Sequence, residues 1–289
     1  MSGQWNLVTI TTQDHLRLRG LLMAPGKLNA LVVHVHGNSG NFYENGFLDA
    51  LVDEYRKAGL GFLVFNNRGH DVIAEAYRAG QLCYIGGAVE RYSESVLDIQ
   101  AAVDFAHQHA AIVYLQGHSF GCLKVLNFLI KCKQMINAVF ISPADTIQLQ
   151  RDFIHPETLE HQIARVTSTY GHSGLELLPS REFGIRELGC EYTIPITAKA
   201  FLDLFDGSFA RLLSYRSPVE YHLDGAAFVY CGGSDPLLTS PLGEIEAFFS
   251  RRFQTVSFYI EKSGNHHMKG VEDHVAGKIS GWISGMVTS

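Results

Sequence analysis

The residues with the clearest chemical signature are 117–121, which read Gly-His-Ser-Phe-Gly. They match G-x-S-x-G, a pattern in which a sharp turn between a strand and a helix exposes the serine hydroxyl. The surroundings fit this turn, because residues 112–116 have the pattern of an apolar strand and residues 122–131 that of a helix. Glycine is expected at both ends of the motif, since a Cβ there would collide with nearby backbone. The pattern predicts that Ser119 is a nucleophile.

A serine hydroxyl attacks efficiently only when a neighbouring base takes its proton. Two adjacent histidines, His266 and His267, follow the predicted strand 255–260. Loops at the carboxyl ends of parallel strands meet at one edge of a sheet, so either histidine could reach Ser119. We favour His266 as the base because it directly follows the small and polar residues 263–265.

The histidine in turn needs an acid that holds it in the correct tautomer and stabilises the imidazolium formed during reaction. Asp235 lies in a turn-forming Gly-Gly-Ser-Asp-Pro stretch after the predicted strand 226–231. Asp145 is the competitor, because it follows the preceding predicted strand, 138–141. The sequence favours Asp235.

The negative oxygen that develops during acyl transfer needs two preorganised N–H donors. One is expected from the backbone of Phe120, the residue after the nucleophile. The other should come from the loop after the predicted strand 30–36, which continues Gly-Asn-Ser-Gly-Asn. We predict the backbone N–H of Asn38 as this second donor, with Ser39 as the alternative.

Neither a metal nor an organic cofactor is predicted, although the chain has 14 histidines. His34 and His36 share one face of a predicted strand, but no third ligand follows at a suitable spacing. The sequence has no G-x-G-x-x-G that opens a helix after the first strand and no G-x-x-x-x-G-K-[ST]. Dinucleotide and nucleoside triphosphate binding therefore lack support.

Composition indicates which kinds of partner and which cellular compartment to expect. The 289 residues contain 29 acidic residues against 23 Lys and Arg, a formal charge of −6, which argues against a nucleic-acid partner. No apolar stretch reaches the roughly 18 residues of a membrane span, and no secretory signal is recognisable. Five widely spaced cysteines without C-x-x-C indicate reduced thiols and a cytoplasmic protein. We expect a small-molecule substrate; the oligomeric state stays open.

The positions of these residues depend on an alternation of strands and helices that is typical of an α/β protein with a mostly parallel, doubly wound sheet. Between residues 144 and 220 the alternation stops and no clean strand is recognisable. We therefore predict a core formed by residues 1–143 and 221–289 and a mainly helical cap over 144–220. The predicted strands are 5–12, 16–23, 30–36, 61–66, 112–116, 138–141, 226–231 and 255–260, and the predicted helices 44–58, 90–109, 122–131, 242–250 and 271–282.

Five short motifs stand at or near the ends of predicted strands. They are His36-Gly37-Asn38, Asn67-Arg68-Gly69-His70, Gly117-His118-Ser119-Phe120-Gly121, Gly233-Ser234-Asp235 and Gly264-Asn265-His266. In this order they resemble the α/β-hydrolase fold over nearly the whole chain except the inserted segment. The resemblance implies a Ser119–Asp235–His266 triad, with the cap between the sixth and seventh core strands. Residues 36–43 also resemble the group that includes siderophore esterases.

The chemistry that these residues predict is hydrolysis of a carboxylic ester or thioester through an acyl-enzyme. Two enzymatic alternatives share the same groups: an acyltransferase or thioesterase in a biosynthetic pathway, and a peptidase. A non-catalytic binding protein on the same fold is the remaining alternative, and the presence of all three triad side chains argues against it.

Overall fold

Strands and helices alternate along most of the chain in the computed structural model, which describes residues 5–24, 26, 28–153, 157–186, 193–207, 209–216 and 219–288. The strands are β1 (Trp5–Thr11), β2 (Arg17–Met23), β3 (Leu31–Val35), β4 (Gly61–Phe65), β5 (Ala74–Arg78), β6 (Gln81–Ile85), β7 (Val113–His118), β8 (Ala138–Ile141), β9 (Ile185–Arg186), β10 (Thr193–Ile194), β11 (Leu223–Gly232) and β12 (Phe253–Glu261). The helices are α1 (Phe47–Lys57), α2 (Ser95–His107), α3 (Phe120–Cys132), α4 (Thr146–Phe153), α5 (Leu159–Tyr170), α6 (Ser180–Phe183), α7 (Ala198–Phe205), α8 (Leu242–Ser250) and α9 (Glu272–Thr288).

Eight of the described strands form one sheet in the order β1-β2-β4-β3-β7-β8-β11-β12. β2 is antiparallel to both of its neighbours, and every pair from β4 to β12 is parallel. The register sets Val35 opposite Gly117, and Gly117 opposite Phe140. The loops that follow the parallel strands therefore leave the sheet at one edge. The predicted mostly parallel sheet is confirmed.

Helices cover both faces of this sheet. On one face, Leu51 of α1 and Ile279 of α9 belong to one buried apolar cluster. On the other face, Ile99 of α2, Leu126 of α3 and Phe248 of α8 belong to a second cluster. Burial on two faces explains why every residue of β3, β4 and β8 is buried and why these strands read as continuous apolar runs. Each large apolar side chain buried in this way contributes about 1.5–3 kcal/mol.

The segment between β8 and β11 contains α4 to α7 and the short β9–β10 pair, and none of its described residues joins the large sheet. Polar contacts tie this segment to the rest of the chain and also hold its two ends together. Asp203 of α7 accepts hydrogen bonds from the Ser93 N–H (2.8 Å) and hydroxyl (2.7 Å). Asp145, just before α4, accepts from the Ser214 hydroxyl (3.1 Å) and the Tyr215 N–H (3.0 Å). The second contact holds the two ends of the segment together.

The structure adds a hairpin that the sequence analysis did not predict, β5 and β6. Ala79 and Gly80 form its two-residue turn with φ angles of 51° and 81°. Most residues of both strands are half-buried or exposed, and the outward residues Tyr77 and Tyr84 are 52% and 72% exposed. An outward face that carries large apolar residues lacks the apolar–polar alternation by which a surface strand is recognised.

Two predicted helices begin later than expected. The predicted helix 44–58 begins at Phe47, because the Asn41 side chain accepts from the Glu44 N–H and holds a turn there. The predicted helix 90–109 becomes a 3-10 turn followed by α2, since Arg91 is extended and Glu90 is buried in an ion pair. Among the described residues, no helix has both the length and the apolar character needed to cross a membrane.

Candidate active site

Ser119 lies at the junction of β7 and α3, at the sheet edge where the loops converge. Its φ of 54° and ψ of −123° fall in a region that costs a non-glycine residue about 1–3 kcal/mol. The chain can adopt this turn only with glycine on both sides. A Cβ on Gly117 would lie 2.7 Å from the Cys122 nitrogen, and a Cβ on Gly121 would clash with the Val35 carbonyl oxygen. The result is a tight strand-to-helix turn with the serine at its apex.

His266 and Asp235 form a buried pair near the same edge. The Nδ1 of His266 lies 2.8 Å from Oδ2 of Asp235, and their side chains are 5% and 2% exposed. The other carboxylate oxygen, Oδ1, accepts from the Leu237 N–H at 2.8 Å, which fixes the carboxylate plane. A proton on Nδ1 that is donated to the carboxylate leaves Nε2 as the nitrogen that can accept a further proton.

The two alternatives from the sequence lie in different surroundings. His267 is exposed, and its backbone N–H donates to the Asn265 side chain (3.0 Å). Asp145 is buried, and both of its carboxylate oxygens accept hydrogen bonds from residues of the inserted segment or its end. Burial raises the pKa of Asp145. Of the two aspartates, the structure therefore brings Asp235 to His266.

The two residues predicted to supply N–H donors lie on either side of the serine. Phe120 is the first residue of α3, so its N–H has no partner within the helix. Asn38 follows β3 in a loop that passes close to the turn, since a Cβ on Gly37 would lie 3.2 Å from the Ser119 Cβ. The alternative, Ser39, has a φ of 47° and pairs with His70 in an isolated β-bridge.

A cavity of about 620 Å³ opens at this point of the structure. Asn38, Ser119, Phe120 and His266 all line it, and Asp235 lies behind His266. One part of the wall is apolar and includes three residues of the inserted segment, Ala144, Leu149 and Ile194. The apolar lining residues are Phe47, Phe120, Ala144, Leu149, Ile194 and Leu237, and the charged ones Glu44, Lys269 and Glu272.

His118, which the sequence analysis passed over as the variable residue of the motif, contacts the loop of the candidate base. Its ring is buried, and Nε2 donates to the carbonyl oxygen of His266 at 3.0 Å. Burial, with a smaller effect from His266, holds the pKa of His118 well below its usual range, so the ring stays neutral. The signal available in the sequence was its position directly before the candidate nucleophile, after a strand predicted to end at the site.

The two histidines considered above as metal ligands, His34 and His36, make polar contacts within the protein. His34 Nδ1 lies 2.8 Å from the Gln116 side-chain nitrogen. His36 contacts the Gly37 carbonyl through Nδ1 (2.9 Å) and the Asn67 N–H through Nε2 (3.1 Å). Among the described residues, no group of three or more His, Cys, Asp or Glu could hold a metal ion.

Comparison of the whole structure with solved structures identifies proteins with the same fold. An esterase from Pyrococcus furiosus, PF2001, is 16% identical and covers 99% of this chain and 91% of its own, with a TM-score of 0.60. Est1E from Butyrivibrio proteoclasticus, solved with ferulic acid bound, is 16% identical over 98% of this chain and 100% of its own, with a TM-score of 0.67. The α/β hydrolase GrgF from a Penicillium species is 15% identical over 99% of this chain and 97% of its own, with a TM-score of 0.65. At these identities the likeness establishes the fold.

Comparison at the level of sequence identifies the family. No curated protein matches the sequence significantly. Residues 26–175, just over half of the chain, match the family described as serine aminopeptidase, S33. This range contains the strand-to-helix turn with Ser119 and the loop with Asn38, and it agrees with the fold of the solved structures. The chain therefore belongs to the serine aminopeptidase S33 family of α/β-hydrolase enzymes.

Proposed function

We propose that this protein is a serine hydrolase that cleaves a small carboxylic ester or thioester. The observation that carries the proposal is the buried contact of 2.8 Å between His266 Nδ1 and Asp235 Oδ2, on the wall of the cavity that Ser119 also lines. A buried imidazole that donates one proton to a carboxylate presents its other nitrogen as a base. Such a base is what a serine hydroxyl requires in order to attack.

In the proposed reaction, the Ser119 hydroxyl attacks the carbonyl carbon of the substrate while His266 Nε2 takes its proton. Asp235 stabilises the imidazolium that results, because the carboxylate accepts from Nδ1 in a site with little solvent. His266 then gives the proton to the departing alcohol or thiol, and an acyl group remains on Ser119. Water repeats the sequence with His266 again as the base, and the acid is released.

The negative oxygen of each tetrahedral intermediate is held, in this proposal, by the backbone N–H groups of Asn38 and Phe120. The N–H of Phe120 points out of the first turn of α3, where the helix dipole adds a partial positive charge. One such donor is worth about 10²–10³ in kcat in comparable sites.

The inserted segment is proposed to act as a cap that shapes the acyl site. Residues 144–220 would cover the core formed by 1–143 and 221–289, and Leu149 and Ile194 of this segment contribute apolar wall to the cavity. A cavity of about 620 Å³ has room for an aromatic or medium-length acyl group. The ferulic acid bound in Est1E motivates hydroxycinnamate esters as one substrate class to screen.

The first experiment is labelling with a fluorophosphonate probe, because only an activated serine reacts with it. Wild type should be labelled, Ser119→Ala should not, and Ser263→Ala should be labelled like wild type. Ser263 is a matched control because it is an exposed serine on the loop that carries His266. Its hydroxyl donates to the Glu261 carboxylate at 3.1 Å. Folded wild-type protein that is not labelled would refute the proposal.

A peptidase is the second candidate, and the family description is the observation that favours it. Amides and esters pass through similar tetrahedral intermediates, so the same residues would serve. Aminoacyl p-nitroanilides and p-nitrophenyl esters with the same acyl group distinguish the two. A higher kcat/KM for the anilide than for the matched ester would favour the peptidase, since esters are intrinsically the easier substrates.

We also propose a reducing compartment, as expected for the cytoplasm. The described cysteines Cys83, Cys122, Cys132 and Cys231 are free thiols, whereas Cys190 lies outside the described residues. Mass spectrometry of the protein taken from its own cells and alkylated under denaturing, non-reducing conditions would test this, because a reducing compartment leaves every cysteine as a free thiol.

A further inference from the structure

A fully buried lysine lies beneath the turn that holds the candidate nucleophile. Lys124 is on α3, one helical turn beyond Phe120, and neither it nor its partner Glu90 is exposed to solvent. The ammonium group lies 2.7 Å from one oxygen of Glu90 and 3.0 Å from the other. It also lies 5.8 Å from the centre of the Phe120 ring and 5.9 Å from that of Tyr92.

Stability alone does not account for such a pair. Removing two charges from water costs several kcal/mol per ion, and replacing a buried pair with apolar residues of similar volume is often neutral or stabilising. Its third contact suggests another role. The ammonium of Lys124 also donates to the side-chain oxygen of Asn67 at 3.0 Å, in the Asn-Arg-Gly-His motif that the proposed chemistry does not use.

From Asn67 a series of hydrogen bonds leads to the loop proposed to hold the oxyanion. The Asn67 N–H donates to Nε2 of His36 (3.1 Å), and Nδ1 of His36 donates to the Gly37 carbonyl (2.9 Å). Gly37 precedes Asn38 and lies against the Ser119 side chain. The positive charge beneath α3 is thus linked through two side chains to the residue next to the proposed donor.

The protonation state of His36 agrees with this arrangement. Nε2 can accept from the Asn67 N–H only while the ring is neutral. Burial, followed by the positive charge of Lys124, holds the pKa of His36 well below its usual range. The same lysine that orients Asn67 therefore also helps to keep His36 in the form that the hydrogen bond requires.

Gly69 shows how closely the motif approaches the ion pair. Its N–H donates to the Asn67 side-chain oxygen at 3.0 Å, so this oxygen has two donors. A Cβ on Gly69 would overlap the Glu90 carboxylate and lie 2.7 Å from the Lys124 ammonium. Only glycine lets the backbone of the motif lie against the pair, which keeps Asn67 within reach of Lys124.

We propose that Lys124 and Glu90 are positioning residues, which act through Asn67 and His36 to hold the loop 36–40 at the distance from Ser119 that oxyanion binding requires. This inference rests on the proposed hydrolase function. It assigns to the buried pair and to the Asn-Arg-Gly-His motif a contribution to kcat, and it does not require either to touch the substrate.

The test replaces the pair as a unit, since a single substitution would leave one charge buried alone. The double variant Lys124→Met/Glu90→Leu should fold, with a thermal unfolding midpoint close to that of wild type. With an activated ester, its kcat should fall at least tenfold while KM changes less than threefold. A purely structural pair would instead leave the kcat of the folded double variant within twofold of wild type, and that result would overturn the proposal.

A second variant leaves the ion pair intact and removes the side-chain oxygen of Asn67, which accepts from Lys124 and from the Gly69 N–H. Asn67→Ala should lower kcat at least tenfold with little change in KM. Its matched control is Asn137→Ala, which also removes a side-chain acceptor of a backbone N–H, that of Ala226 (2.8 Å). The control should keep wild-type kcat. If the double variant fails to fold, Asn67→Ala decides: a kcat equal to that of the control overturns the proposal.

These measurements also separate this inference from the proposed function. Wild type that neither hydrolyses esters nor reacts with a fluorophosphonate would refute the hydrolase proposal, and this inference with it. Active wild type with unchanged Asn67→Ala and double variants would refute the positioning role alone.

Discussion

Replacing Asp235 with Asn tests the proposed orienting carboxylate most directly. Oδ2 of Asp235 is 2.8 Å from His266 Nδ1, whereas Oδ1 accepts from the Leu237 N–H at the same distance. The side-chain oxygen of Asn would keep the bond to Leu237 and turn its NH₂ group toward His266. Nδ1 would then have to accept, so the ring proton would move to Nε2. That nitrogen could no longer take the Ser119 proton.

A histidine held in the wrong tautomer costs about 10⁴ in kcat in comparable triads. This factor corresponds to about 5.5 kcal/mol of transition-state stabilisation. The variant should fold normally, because it keeps the size of the side chain and one of its two hydrogen bonds. The assay is kcat on an activated ester at saturating concentration, with Ser119→Ala as the baseline.

Asp145→Asn is the matched control, since Asp145 is also a buried aspartate at the carboxyl edge of the sheet. Its oxygens accept from Gln148, Ser214 and Tyr215, so its replacement should alter the attachment of the inserted segment and lower kcat less than tenfold. Asp235 is not the orienting acid if Asp145→Asn loses more activity than Asp235→Asn, or if Asp235→Asn loses less than tenfold.

Two further predictions concern the turn and the response to acid. Gly121→Ala should yield protein that is inactive and unfolds at a clearly lower temperature, because its Cβ would clash with the Val35 carbonyl oxygen; a wild-type melting temperature would contradict the geometry of the turn. Burial lowers the pKa of His34 to about 3 and holds the pKa values of His36 and His118 well below their usual range. Below about pH 6.5 these three rings therefore bind more protons in the unfolded chain than in the folded one. The stability that these rings contribute is fully present above about pH 6.5 and is lost as the pH falls, at up to about 1.4 kcal/mol per pH unit for each ring. Denaturant unfolding from about pH 7 to about pH 5 should therefore show a shallower loss for His34→Gln than for wild type, and equal slopes would contradict this account.

The fold class and the strand-to-helix turn were predictable because their signals are local. Strands buried on two faces read as continuous apolar runs, and the turn at Ser119 needs glycines at fixed offsets in the chain. The hairpin of β5 and β6 was missed because its outward face is apolar at Tyr77 and Tyr84, which removes the alternation that marks a surface strand.

The choice of partners for Ser119 was not predictable in the same way. Asp145 and Asp235 both follow parallel strands, so their spacing in the sequence places either at the correct edge of the sheet. Their roles as catalytic residues remain predictions, but their contacts differ for a reason of packing. The end of the inserted segment folds back onto Asp145, whereas the loop after β12 brings His266 to Asp235.

The sequence by itself determined the position of the candidate nucleophile and the fold class. Both follow from the periodicity of apolar residues and the spacing of glycines, which are patterns within a few residues of chain. Only the tertiary structure decided which side chains meet. Lys124 and Glu90 are 34 residues apart and resemble ordinary surface charges in the sequence, yet they form a pair with no exposure to solvent. Contacts of this kind depend on how helices and loops pack against the sheet, and packing is set by the whole chain at once.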